Sequence, residues 1–133
     1  MSGRTVRKAA ATLTAAFTLA SAGVLASSTS ASAATCYDGA SYFSGENYYY
    51  PSSGTYATTS RCNDINVKIA NLLITPNRKV KVCFYPSSAP AYCQGSYTTV
   101  DSDWTVVATD VLDGTRYRLL FENNSWVQAY RAA

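Results

Sequence analysis

Four cysteines, eleven tyrosines and a few closely spaced carboxylates are the side chains of this 133-residue chain that could carry chemistry, and no histidine accompanies them. Without an imidazole there is no general base of the Ser/His/Asp or Cys/His kind, and a typical hydrolytic zinc site lacks its ligands. Paired carboxylates are the remaining acid/base route, as in glycoside hydrolysis. The pairs available are Asp101 with Asp103, Asp110 with Asp113, or Glu46 with any of these. Each has a plainer role: Asp101-Ser102-Asp103 precedes a strand signal and Asp113 stands in a turn, where Asp bonds its own backbone. Asp101, Asp103 and Asp110 also offer oxygen ligands to calcium, but no Glu follows at the distance an EF-hand requires. The chain is therefore expected to be non-catalytic, with no cofactor and no resident metal.

The cysteines are expected to be structural. Cys36, Cys62, Cys83 and Cys93 contain no C-x-x-C pair, and an even number in an oxidising compartment favours two disulfides over a metal site. Of three possible pairings, Cys36 with Cys62 and Cys83 with Cys93 is preferred. The second has a local argument: the turn-forming run Pro86-Ser87-Ser88-Ala89-Pro90 folds Cys83-Phe84-Tyr85 back onto Ala91-Tyr92-Cys93.

Tyrosine is the compositional excess, and Tyr48, Tyr49 and Tyr50 stand together ahead of Pro51-Ser52-Ser53-Gly54. In a strand, alternation sends Tyr49 to the face opposite its neighbours, so at least one ring is expected in solvent, able to contact a ligand. Exposed rings can stack on sugar faces or anchor a protein partner. The rival reading is that the tyrosines fill the rim of a small core with their hydroxyls in water.

The elements that would position these residues are strands. Ile65, Val67 and Ile69 alternate with Asp64, Asn66 and Lys68, the period of a half-buried strand. Val80, Val82 and Phe84 alternate with Lys79, Lys81 and Cys83; Trp104, Val106 and Ala108 form one face of another strand, and Tyr117, Leu119 and Phe121 one face of a fourth. Further strands are expected within 41–50, 54–60, 92–100 and 126–129, with one helical turn the alternative reading of residues 71–74. Asp113-Gly114 signals a hairpin between Val111-Leu112 and Thr115 to Phe121. The cluster Arg78-Lys79-Lys81 is expected to be the solvated face of a strand. Seven or eight short strands predict an all-β domain, a small antiparallel β-sandwich or Greek-key barrel stapled by two disulfides.

The amino-terminal segment has the anatomy of a secretory signal: Arg4, Arg7 and Lys8, an apolar stretch to about Leu25, and an Ala31-Ser32-Ala33 exit. Residues 1–33 are therefore expected to be a helical signal peptide cleaved before Ala34, leaving one domain over residues 34–133. The three leader cations account for the formal charge of +3, so the remaining chain, with eight basic and eight acidic residues, is neutral. Nucleic-acid binding needs a clustered cationic excess that is missing here. The stretch after Lys8 is too rich in Ala and Thr for a stable membrane anchor.

The run from Arg61-Cys62-Asn63-Asp64-Ile65 through Val80-Lys81-Val82-Cys83-Phe84-Tyr85-Pro86 to Tyr92-Cys93-Gln94, with Trp104-Thr105-Val106-Val107 and Asp113-Gly114-Thr115, resembles uncharacterised small secreted proteins of actinomycetes. That resemblance implies export and assigns no site residue. The expectation is a secreted monomer that binds polysaccharide or cell-envelope glycan through exposed tyrosines near Tyr48 to Tyr50. Two alternatives stand beside it: a secreted inhibitor of a protease or amylase, or a small toxin, acting on another protein through the Pro86 to Pro90 loop; and a surface structural protein.

Overall fold

The computed structural model describes residues 35–73 and 76–133. The leader and its expected cleavage point lie outside the described residues, as does Ile74. Within them the chain is a pair of antiparallel sheets built from ten strands: β1 (Ser41–Gly45), β2 (Tyr49–Tyr50), β3 (Tyr56–Ala57), β4 (Ile65–Ile69), β5 (Arg78–Phe84), β6 (Tyr92–Cys93), β7 (Thr98–Val100), β8 (Thr105–Ala108), β9 (Arg116–Phe121) and β10 (Val127–Ala132). One sheet runs β1-β10-β4-β8. In the other, β9 and β5 lie side by side, β2 and β3 pair along β9, and β6 and β7 along β5.

The expected segments 41–50 and 92–100 each become two short strands. Pro51, Pro86 and Pro90 have no N–H to extend a ladder, so pairing stops near them. The longest strands, β5, β9 and β10, lie inside their sheets.

Alternation decides what enters the core. Phe43 of β1, Val127 and Ala129 of β10, and Ile65, Val67 and Ile69 of β4 meet Tyr50, Val80, Val82, Val100, Tyr117, Leu119 and Phe121 from the other sheet. Phe43, Tyr50 and Phe121 form an aromatic knot, with Tyr50 edge-on to Phe121 at 5.4 Å and 84°, a preferred ring geometry. Gln94 joins the sheets at one edge: its backbone N–H and side-chain Oε1 bond the Val82 backbone, while Nε2 donates to Val107 O at 3.0 Å in β8.

Both expected disulfides form, Cys36–Cys62 and Cys83–Cys93. The second joins directly opposed residues of β5 and β6, as the Pro86 to Pro90 turn implies. The first holds a helical turn at 35–38 against the outer face of the four-stranded sheet, where Cys36, Cys62 and Ala132 make a small second core with Tyr37, Ala40 and Trp104. This covering corrects one expectation. Asn66 is buried rather than solvated; its Nδ2 donates to Asp64 O at 3.2 Å and Ala132 O at 3.3 Å.

Two further expectations fail for tertiary reasons. Arg78 is not on a solvated face: it points inward, 4 % exposed, and donates to Ser125 O, Trp126 O, Asn123 O and Asn123 Oδ1. Asp113-Gly114 is a turn, with Gly114 at φ 75°, but not a hairpin. The strand before it, β8, pairs with β4, and the strand after it, β9, belongs to the other sheet. Asp110, at φ 52°, and the Val111 N–H to Asn63 O bond of 2.8 Å divert the chain. Thr58 Oγ1 then grips the turn, donating to Leu112 O and accepting from Thr115 N. Leu72 and Leu73 form a turn.

Candidate functional site

Tyr48, Tyr49 and Tyr50 do not converge. Only Tyr49 and Tyr50 belong to β2, and alternation divides them. Tyr50 is 3 % exposed in the aromatic knot, its hydroxyl donating to Gly45 O at 2.7 Å and accepting from Asn47 N at 3.1 Å. It offers no ring to a ligand. Tyr49 lies on the outer face of the second sheet with the Arg118 guanidinium 4.4 Å from its ring centroid. That guanidinium is fixed by Pro51 O and Ser52 O, so one face of Tyr49 is covered. Tyr48 is exposed.

A denser aromatic surface forms on the outer face of the four-stranded sheet. Register places Tyr42 of β1 opposite Tyr130 of β10, and Tyr130 opposite Lys68 of β4. The Tyr42 and Tyr130 rings meet edge to face at 5.4 Å and 64°. Lys68 Nζ lies 5.9 Å from the centroid of the Trp104 ring. Trp104, just before β8, stacks on Tyr37 at 4.6 Å and 9°. Adjacent strands are about 4.8 Å apart, so the row Tyr42–Tyr130–Lys68–Trp104 crosses about 15 Å of surface. Tyr42 is 50 % and Tyr130 38 % exposed, while Lys68, Trp104 and Tyr37 are half-buried.

The elements explain why these side chains point outward. Tyr42 flanks the inward Phe43, Tyr130 flanks the inward Ala129, and Lys68 stands between the inward Val67 and Ile69. The Cys36–Cys62 staple holds the 35–38 turn in place and with it Tyr37, whose ring lies parallel against one face of Trp104. The row combines ring surface, phenol hydroxyls and one ammonium donor. Individual Tyr alternations were visible in the sequence; the register that lines Tyr42 up with Tyr130 and Lys68 was not.

The stapled loop is a second exposed feature. Residues 86–90 are all exposed. Two shallow grooves of about 280 and 400 Å³ share Phe84, Tyr92 and Thr115 as a common wall.

Two carboxylates bond backbone N–H groups in the loops. Asp101 Oδ1 accepts the Asp103 N–H at 2.9 Å, and Asp64 Oδ1 accepts the Asp110 N–H at 3.0 Å. Among the described residues no three His, Cys, Asp or Glu side chains come together as a metal site would require.

Burial pushes the phenols of Tyr50, Tyr56 and Tyr117 above the ordinary 10.0, partly offset at Tyr56 and Tyr117 by the Arg131 cation. Burial likewise lowers the Arg78 guanidinium from its usual range. Compared with protein-family models, with characterised proteins and with solved structures, the chain finds no match in any of the three.

Proposed function

We propose that the chain is a secreted, non-catalytic module that binds polysaccharide or cell-envelope glycan on the outer face of the four-stranded sheet. The observation that supports this reading best is the row Tyr42, Tyr130, Lys68 and Trp104, with Tyr37 stacked behind it. A pyranose ring has an apolar C–H face that packs on an aromatic ring, and hydroxyls at its edge that accept from an ammonium or a phenol. A linear array along one face suits a repeating polymer, where several modest contacts act together. Two disulfides in a domain of this size fit an oxidising extracellular setting.

The test is depletion of the oxidised protein from solution by a panel of insoluble polysaccharides and peptidoglycan, with a Tyr42→Ala/Tyr130→Ala variant alongside. Selective retention of the parent and loss by the variant is the expected result. Retention of neither, across the whole panel, overturns the reading.

A second reading, a secreted inhibitor, draws support from the exposed, disulfide-closed loop beside the Tyr92 grooves. A pre-ordered loop loses less entropy on binding. Its signature is inhibition of a protease or amylase that Ser87→Ala/Ser88→Ala weakens and Tyr42→Ala/Tyr130→Ala leaves unchanged.

A further inference from the structure

The outer face of the sheet built on β5 and β9 gathers cations. Val80 and Val82 of β5 and Tyr117, Leu119 and Phe121 of β9 enter the core, so Lys79 and Lys81 of β5 and Arg116 and Arg118 of β9 point the other way. The ladder sets Lys81 opposite Leu120 and Arg118 opposite Cys83. One step beyond, Lys79 pairs with Glu122, Nζ to Oε1 at 3.9 Å. Along the strand direction the cations therefore follow in the order Lys79, Lys81, Arg118 and Arg116, crossing from β5 to β9 midway. Each step of two residues advances about 7 Å, which makes a track of about 20 Å.

These charges are mostly not neutralised where they stand. The six strands of this sheet contain no Asp or Glu, and Lys79 with Glu122 is the one ion pair among the described residues. Lys79 and Arg116 are exposed, and Lys81 and Arg118 half-buried. Arg118 is held by Pro51 O and Ser52 O, so it acts as a fixed charge. Lys81 Nζ lies 4.6 Å from the Tyr97 ring centroid and Arg118 Cζ 4.4 Å from that of Tyr49. A ring face favours a cation, but the repulsion between Lys81 and Arg118, diagonal neighbours at about 7–8 Å, is left for an anion to relieve. Residues 34–133 are neutral as a whole, so the pairing register, not composition, concentrates the charge.

We propose that this track binds an acidic polysaccharide, a sugar chain bearing carboxylate or sulfate groups, with Lys79, Lys81 and Arg116 contacting the anions and Arg118 adding a fixed positive field. Anionic groups spaced along an extended polymer match cations spaced along a strand, and the contacts need not converge on one group. A single-stranded nucleic acid stacks its bases on open rings, whereas Tyr49 and Tyr97 each already hold a cation. Insertion into a lipid surface needs apolar side chains, and these strands expose no Leu, Ile, Val, Phe or Trp. The track lies on the sheet opposite the Tyr42–Tyr130 row. Failure of either assignment leaves the other standing.

The experiment measures binding of the oxidised protein at low ionic strength to polygalacturonate, dextran sulfate and uncharged dextran, with oligothymidylate and anionic phospholipid vesicles in parallel. Saturable binding to at least one acidic polysaccharide, absent with dextran and weakened by added salt, is the expected result. Preference for polygalacturonate assigns carboxylates, and preference for dextran sulfate assigns sulfates. Lys81→Gln/Arg116→Gln is expected to weaken binding about tenfold, since two charge contacts are lost, and to make its salt dependence shallower while the melt stays close to the parent. Lys81→Arg/Arg116→Lys should restore it, and Tyr42→Ala/Tyr130→Ala should leave it unchanged. Silence to both acidic polysaccharides, equal binding of dextran, full affinity in Lys81→Gln/Arg116→Gln, or tighter binding of the oligonucleotide or the vesicles would each overturn the proposal.

Discussion

Tyr42 and Tyr130 face each other across β1 and β10, with ring centroids 5.4 Å apart at 64°, and both rings stand in solvent. Their backbone neighbours Phe43 and Ala129 are paired in the same ladder and buried. The exposed pair is therefore the outward half of an alternation whose inward half holds the core. Removing both rings deletes one cross-strand contact, about 0.2–1 kcal/mol. We expect Tyr42→Ala/Tyr130→Ala to keep a cooperative melt close to the parent while losing retention on the glycan that the parent binds. A collapse of the melt would show that the pair is structural.

Tyr50 predicts the opposite behaviour. Tyr50→Ala empties the aromatic knot with Phe43 and Phe121 and should cost about 3–5 kcal/mol, the usual range for a buried aromatic. Tyr50→Phe keeps the ring and loses the bonds to Gly45 O and Asn47 N, about 1 kcal/mol. Urea denaturation of the two variants separates packing from hydrogen bonding; equal losses would contradict this division.

Arg78→Met should destabilise by about 3 kcal/mol, because it strips donors from the Asn123, Ser125 and Trp126 carbonyls at a buried site. Arg78→Lys keeps the charge but lacks the planar fork, so we expect only partial recovery in the same denaturation assay. Full recovery by Lys would mean that charge, not geometry, holds the 123–126 turn.

The two staples should be separable. Cys36 and Cys62 close a separation of 26 residues and Cys83 and Cys93 one of 10. Chain entropy then gives about 3.5 kcal/mol for the first and about 2.7 kcal/mol for the second. Serine pairs at each should follow that order in thermal melts. The first pair should also weaken glycan retention, because it frees the segment that carries Tyr37 against Trp104; the second should leave retention unchanged.

Alkaline pH should unfold the domain through its buried phenols. Burial raises Tyr50, Tyr56 and Tyr117 above 10.0 in the folded state, so above that pH the unfolded chain releases protons that the folded chain keeps. Stability contributed by these groups is complete below 10.0 and is lost as pH rises through the higher folded values. Melting temperature is expected to be level up to about pH 10 and then fall, with part of the tyrosinate absorbance appearing only on unfolding. Full tyrosine titration in the folded protein would contradict the burial.

The class of fold is legible in the residues alone, because period-2 alternation at Ile65 to Ile69, Val80 to Phe84 and Tyr117 to Phe121 admits little but strands, and a turn of five residues between Cys83 and Cys93 brings those thiols together. Local chemistry also placed the turns at Pro86 to Pro90 and Asp113-Gly114. Long-range contacts settle what alternation leaves open. Whether a turn joins paired strands or crosses between sheets depends on what holds its flanks, and at Asp113-Gly114 the Thr58 side chain and the Asn63 carbonyl do so. A cation beside a strand reads as solvated until a distant loop supplies carbonyls, as residues 123–126 do for Arg78. The candidate face has the same origin: Tyr42, Lys68, Trp104 and Tyr130 are far apart in the chain, and only the pairing register of β1, β10 and β4, set by burial of the opposite face, puts them in one row.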